Sequence, residues 1–108
     1  MNLWEQYNAE HTLGTVLGEI TDLPLWQCSD KALFEALKRH LTRRELRCFV
    51  MNEAGLSDTE ISAEAGLPSA EEMQKVLMKA RKKLRRPKMQ QEFRALLYVP
   101  EDGEPAEQ

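Results

Sequence analysis

Apolar positions recur at helical spacing along most of the chain, and the class they predict is all-α. Leu3, Trp4 and Tyr7 open the series, and Leu13, Val16, Leu17 and Ile20 repeat it at i, i+3, i+4 and i+7. Two short helices, or one broken near His11 to Gly14, fit this spacing. Gly14 and Gly18 each lower helix propensity by about 1 kcal/mol relative to Ala, so this helix needs packing to persist. Leu23, Leu25 and Trp26 around Pro24 make an apolar turn. Ser29 or Asp30 caps the next helix, which carries Leu33, Phe34, Leu37 and Leu41 on one face. Thr42-Arg43-Arg44-Glu45 has the form of a capping box and starts another, with Leu46, Phe49 and Val50 inward and Gly55 at its end.

The stretch from Asp58 to Arg86 organises the rest. It reads as a short helix, a Gly66-Leu67-Pro68 turn and a long helix stopped by Pro87. Ser57 or Asp58 caps the short helix, Ile61 and Ala65 face inward, and Ser62 is small enough to admit a neighbouring helix. Gly66 suits a left-handed turn. Along the long helix, at 100° per residue, Leu77, Ala80 and Leu84 fall within about 40° of Met73, whereas Lys75, Lys79, Lys82 and Arg86 cluster about 200° away. One face is apolar and the opposite one is a four-cation stripe. Met89, Phe93, Leu96 and Leu97 predict a last helix that folds back on the core.

Residues 1–28 form an N-terminal helical extension, 29–86 the central domain and 87–99 a C-terminal helix. Residues 100–108, acidic and without an apolar run, are expected to be disordered. The extension either covers the core behind it or, with both tryptophans, offers a surface to a partner or a second copy.

A chain of 108 residues with a hydrophobic fraction of 42% is expected to hold one domain. No apolar run is long enough to span a membrane and no secretory signal opens the chain, so a cytoplasmic protein is expected. Cys28 and Cys48 have no metal-type spacing, and with only His11 and His40 beside them no zinc site is expected, and no other cofactor. Two reduced, mostly buried thiols are the expectation.

The net charge of −3 hides a segregation. Residues 1–37 carry a net −5, residues 38–88 a net +6 and residues 89–108 a net −4. The basic middle can still meet a polyanion, because association responds to the local field.

Leu41-Thr42-x-x-Glu45, Gly55-Leu56-Ser57-x-x-Glu60-Ile61, Gly66 and Ala80-Arg81-Lys82-Lys83-Leu84 together resemble the DNA-binding domain of sigma factor region 4. They are similar, less closely, to the LuxR-type helix-turn-helix. The resemblance covers about half the chain, from Leu33 to Leu84, and implies a four-helix helix-turn-helix core with added N-terminal and C-terminal helical segments. It implies that the helix after Gly66 enters the major groove, and that the helix opening at Thr42 buttresses it. Ser69, Glu71, Gln74, Lys75, Met78 and Lys79 are then expected to face the bases, with Arg43, Arg44, Arg47, Lys82 and Arg86 on the phosphates.

Glu71 and Glu72 at the start of that helix suit its dipole and repel phosphate. Glu71 is placed to pair with Lys75 at i, i+4, and a glutamate can accept from a cytosine amino group. A complete initiation factor of this family needs a further domain, so the expectation is a free-standing regulator of double-stranded DNA, acting as a homodimer on two-fold-related half-sites. The alternative is an adaptor that uses the same fold to hold RNA polymerase or another transcription factor. An enzyme is not expected: the chain has no phosphate-binding glycine loop, no Gly-x-Ser-x-Gly, no His-Glu-x-x-His and no activated Cys or His pairing.

Overall fold

Five helices open on a serine or threonine whose hydroxyl accepts a main-chain amide three residues on, because the first amides of a helix have no partner within it. The caps are Thr12, Ser29, Thr42, Ser57 and Ser69. At Thr42 and Ser57 the glutamate three residues on, Glu45 or Glu60, returns the bond to the cap amide, closing a capping box. Such a cap contributes about 1 kcal/mol.

The computed structural model describes residues 3–7 and 12–98. Its elements are α1 (Leu3–Tyr7), α2 (Leu13–Thr21), a 3-10 turn (Leu25–Gln27), α3 (Asp30–His40), α4 (Arg43–Glu53), α5 (Asp58–Ala65), α6 (Ala70–Leu84) and α7 (Pro87–Tyr98). The fold is all-α, with no strand among the described residues, and no helix is long and apolar enough to cross a membrane. The expected break between two N-terminal helices falls between α1 and α2. His11, Val99 as the expected last residue of the C-terminal helix, and the acidic residues 100–108 lie outside the described residues, as does the side chain of Leu3.

One apolar core draws on every helix among the described residues. Trp4, Leu13 and Leu17 join Leu33, Leu37, Phe49, Ile61, Met73, Leu77 and Leu84, and Met89 and Phe93 of α7 enter the same cluster. Ala65, Leu96 and Leu97 pack at its edge. α6 lies across α4 and α5, α7 turns back on α3, and α1 rests on α4. The asymmetry of the two tryptophans was not visible in the pattern: Trp4 is buried, whereas Trp26 is 66% exposed.

Gly14 explains why the N-terminal segment tolerates a weak helix former. A Cβ there would lie 2.3 Å from the Leu25 carbonyl oxygen, and one at Gly18 would lie 2.9 Å from that of Leu23. The two glycines let the 3-10 turn sit directly on the α2 backbone, so the propensity lost is the condition for close packing.

Two expectations need correction here. The long helix does not run to Arg86: it ends at Leu84, with Arg85 as its cap, and Pro87 begins α7. A residue before proline resists the helical region, while proline itself suits the first helical position, so the junction is placed at Arg86. The two thiols also differ, Cys48 being buried and Cys28 half-buried.

Candidate nucleic-acid interface

The turn between α5 and α6 is closed at both ends. Gly66 takes the left-handed conformation (φ 71°) and the Leu67 amide donates to the Ser62 carbonyl, satisfying the end of α5. The Ser62 hydroxyl donates to its own helix at Asp58 and to the Ser69 carbonyl at 3.2 Å, tying α5 to the cap of α6. Ser62 is therefore more than a small residue that admits a neighbour.

From this mount α6 buries Met73, Leu77, Ala80 and Leu84, and its opposite side exposes Lys75, Met78, Lys79 and Lys82. Met78 is 59% exposed, an apolar side chain among cations. Arg86 is exposed too, but it belongs to the α6–α7 junction, beside exposed Arg85 and Lys88, and the stripe on the helix proper has three cations.

The six expected base-facing residues are brought to one helix, yet several are already engaged. The Ser69 hydroxyl accepts the Glu72 amide as the cap of α6. The Gln74 amide donates to Asp58 of α5 at 3.0 Å. Lys75 pairs with Glu72 at 3.4 Å and not with Glu71 as the sequence reading had it. Both acids flank Lys75 on the helix surface, and the rotamers place Glu72 nearer. Glu71, Met78 and Lys79 have no side-chain partner among the described residues.

The basic residues divide by what the fold does with them. Arg81 bonds Asn52 and Glu53 at the end of α4 and lies over the Phe49 ring. Arg39 and His40 at the end of α3 both contact Glu92 of α7. Burial would raise the Glu92 carboxyl, but these two partners outweigh it and hold it below the usual carboxylate range. Lys83 donates to Glu45 at 2.8 Å. Glu45 behaves likewise: burial opposes its charge, and Lys83 with the Thr42 amide more than offsets that. Among the described residues Arg43, Arg44, Lys79, Lys82 and Arg86 have no carboxylate partner.

The Lys83–Glu45 contact also fixes where these cations stand. Lys79 and Lys83 are one turn apart on the same side of α6, and Glu45 is in the first turn of α4 with Arg43 and Arg44. The pair thus sets the Lys79 side of α6 beside the arginine end of α4. Sequence reasoning treated Glu45 only as half of a capping box. Its second role had one signal, the place of Lys83 on the border between the apolar and basic faces.

Around Arg43 the surface is concave. A cleft of about 430 Å³ is lined by Phe34, Lys38, Leu41, Arg43, Leu46 and Arg47. Arg43 and Arg47 also line a second hollow with Thr42, Arg44, Glu64 and Ala65, so the two adjoin. Arg47 is half-buried there, 4.0 Å from Glu64. The next residue of α4, Cys48, is buried, and burial pushes its thiol up despite Arg44 and Arg47 nearby, which favours the protonated form at neutral pH. No group of three or more His, Cys, Asp or Glu converges among the described residues in a way that would hold a metal ion.

No protein-family model matches this chain, and neither a curated protein nor a solved structure does. The likeness to sigma factor region 4 rests on the motif residues alone.

Proposed function

We propose that the chain is a sequence-specific DNA-binding transcriptional regulator of bacterial, cytoplasmic type. In this reading α3 to α6 act as a helix-turn-helix core of the region 4 kind, α6 enters the major groove and Arg43, Arg44 and Arg47 meet the backbone. The observation that carries it is the set of unneutralised cations on α6 and α4. Lys79, Lys82, Arg43 and Arg44 stay exposed without carboxylates, whereas Lys83, Arg81 and Arg39 are spent on the fold. Acids on α6 are confined to Glu71 and Glu72 in its first turn, and the charges on the rest of its exposed face are all positive, whereas an ordinary solvated face would mix the two signs along its length. Met78, projecting among these cations, suits the methyl group of thymine.

The test is fluorescence anisotropy of a labelled random duplex over a series of salt concentrations. A log-log slope of roughly −3 to −6, from about four to six neutralised phosphates, supports the reading, and no binding at low salt overturns it.

A second reading, an adaptor that grips RNA polymerase or another transcription factor, draws on Glu71. This exposed acid stands at the leading end of α6 with no cation on it, and Gln74 beside it is already bonded to Asp58. Duplex binding without recovery of any transcription protein in a pull-down would decide against the adaptor. A homodimer through residues 1–28 belongs to either reading, with exposed Trp26 as its contact.

A further inference from the structure

The cleft between the end of α3 and the start of α4 has a chemistry that phosphate contacts alone do not call for. Phe34 and Lys38 stand one turn apart on α3, Arg43, Leu46 and Arg47 follow at helical spacing on α4, and Leu41 sits at the bend between the two helices. The hollow they line, about 430 Å³, has the size of a small-molecule site. Its floor is apolar: Phe34, Leu41 and Leu46 keep 7%, 6% and 6% exposure, whereas Leu33, Leu37 and Phe49 keep none.

Lys38, Arg43 and Arg47 supply the charge, and no carboxylate lines this cleft. They are loosely neutralised from outside it. Lys38 stands 3.7 Å from Glu35, Arg47 stands 4.0 Å from Glu64, and Arg43 has no carboxylate partner among the described residues. Arg43 and Arg47 also line the adjoining hollow with Arg44, so these two guanidiniums border both the apolar floor and a second, more polar space.

We propose that the cleft binds a small soluble anion with an aromatic body, one or two fused rings carrying a phosphate or a carboxylate. The ring lies on Phe34, Leu41 and Leu46, and the anionic group takes Arg43 and Arg47, whose planar forks match its oxygens. A ring suits the cleft better than an alkyl chain because cations border the floor. The Lys38 ammonium already stands 5.8 Å from the centre of the Phe34 ring, and guanidinium planes stack on aromatic faces, so a flat ligand gains contacts that a chain does not. A phosphodiester backbone offers charge to the cations and nothing to the floor, and a neutral ring does the opposite.

The regulatory consequence rests on the DNA-binding reading; the ligand site does not. Arg43 and Arg47 serve both the ligand's anionic group and the phosphates, so a bound ligand takes them from DNA and lowers the affinity for duplex.

The experiment titrates the full chain with 2-naphthyl phosphate, followed by amide and arginine side-chain NMR, with inorganic phosphate and 2-naphthol as the charge-only and ring-only probes. Saturable shifts confined to Phe34, Lys38, Leu41, Arg43, Leu46 and Arg47 are expected, with an affinity at least about tenfold above either partial probe. Lys38→Gln with Arg43→Gln should weaken binding about tenfold or more, whereas Lys31→Gln with Lys88→Gln, which removes the same charge elsewhere, should leave it unchanged. Equal weak binding of naphthyl phosphate and inorganic phosphate, shifts scattered over the surface, or equal losses in the two double variants overturn the site. In the anisotropy assay naphthyl phosphate is expected to displace labelled duplex at concentrations where inorganic phosphate of the same ionic strength does not. Duplex that stays bound at saturating ligand overturns the regulatory consequence. Localised ligand binding by a chain that binds no duplex supports the site and removes the DNA-binding reading.

Discussion

Lys83 reaches across 38 residues of sequence to Glu45, and its ammonium shares one carboxylate oxygen with the Thr42 amide, at 2.8 and 2.9 Å. The cap of α4 and the α4–α6 contact are therefore one structure. Removing Lys83 leaves a carboxylate that is 5% exposed as a residue with half its partners. Lys83→Met is expected to lower stability by about 1–3 kcal/mol in urea denaturation. Lys79→Met, on the exposed side of the same helix, is expected to leave the midpoint unchanged.

Acid should find the same contact. The carboxyls of Glu45 and Glu92 lie below the ordinary glutamate value of 4.5 in the folded chain. Their contribution is fully present above that value and is lost as pH falls through the depressed folded-state range. Thermal midpoints should hold from neutrality down to about pH 5 and fall below it. In Glu92→Gln the acid-side fall should be shallower, since one of the two linked groups is gone.

Gly14→Ala and Gly66→Ala separate two uses of glycine. At Gly14 the added carbon meets the Leu25 carbonyl at 2.3 Å, and backbone must move; a loss of about 2–3 kcal/mol is expected. At Gly66 nothing lies within 4 Å, and only the positive φ resists, so the loss should be about 1–2 kcal/mol. Calorimetry of the two variants gives the order, and a smaller effect at Gly14 would mean that the 3-10 turn lifts away easily.

Charge removal tests the nucleic-acid face without disturbing the fold. Lys79→Gln with Lys82→Gln is expected to reduce the salt slope of duplex binding by about 2, because each lysine releases about one counterion. Helicity by circular dichroism should not change. The same slope in variant and parent would show that α6 does not face the phosphates.

Much of the helical layout was legible because its signals are local. Ser and Thr caps, the Thr42 and Ser57 boxes, the Gly66 turn and the apolar face of α6 all lie within a few residues of what they control. What was not legible depends on neighbours distant in sequence. No spacing reveals that Leu25 will sit on Gly14, or that Lys83 will be spent on Glu45 while Lys79 is left free. Lys75 chose Glu72 over Glu71 because both acids flank it, and a rotamer, not the helical period, decides between them. The extent of α6 was misjudged by two residues, since Arg86 continues the angular pattern and only its position before Pro87 takes it out of the helix. In the site, the count of cations was readable, and their division into spent and available was not.

The unequal burial of the two tryptophans gives the molecule a pair of optical reporters. Trp4, 3% exposed where α1 rests on α4, should emit at short wavelength and resist aqueous quenchers. Trp26, on a turn clamped against α2, should emit at long wavelength and quench readily. Detachment of α1 would shift the first signal and spare the second, while a partner settling on the turn would do the reverse. One emission spectrum can therefore tell loosening at one end of the segment from capture at the other, with no label added.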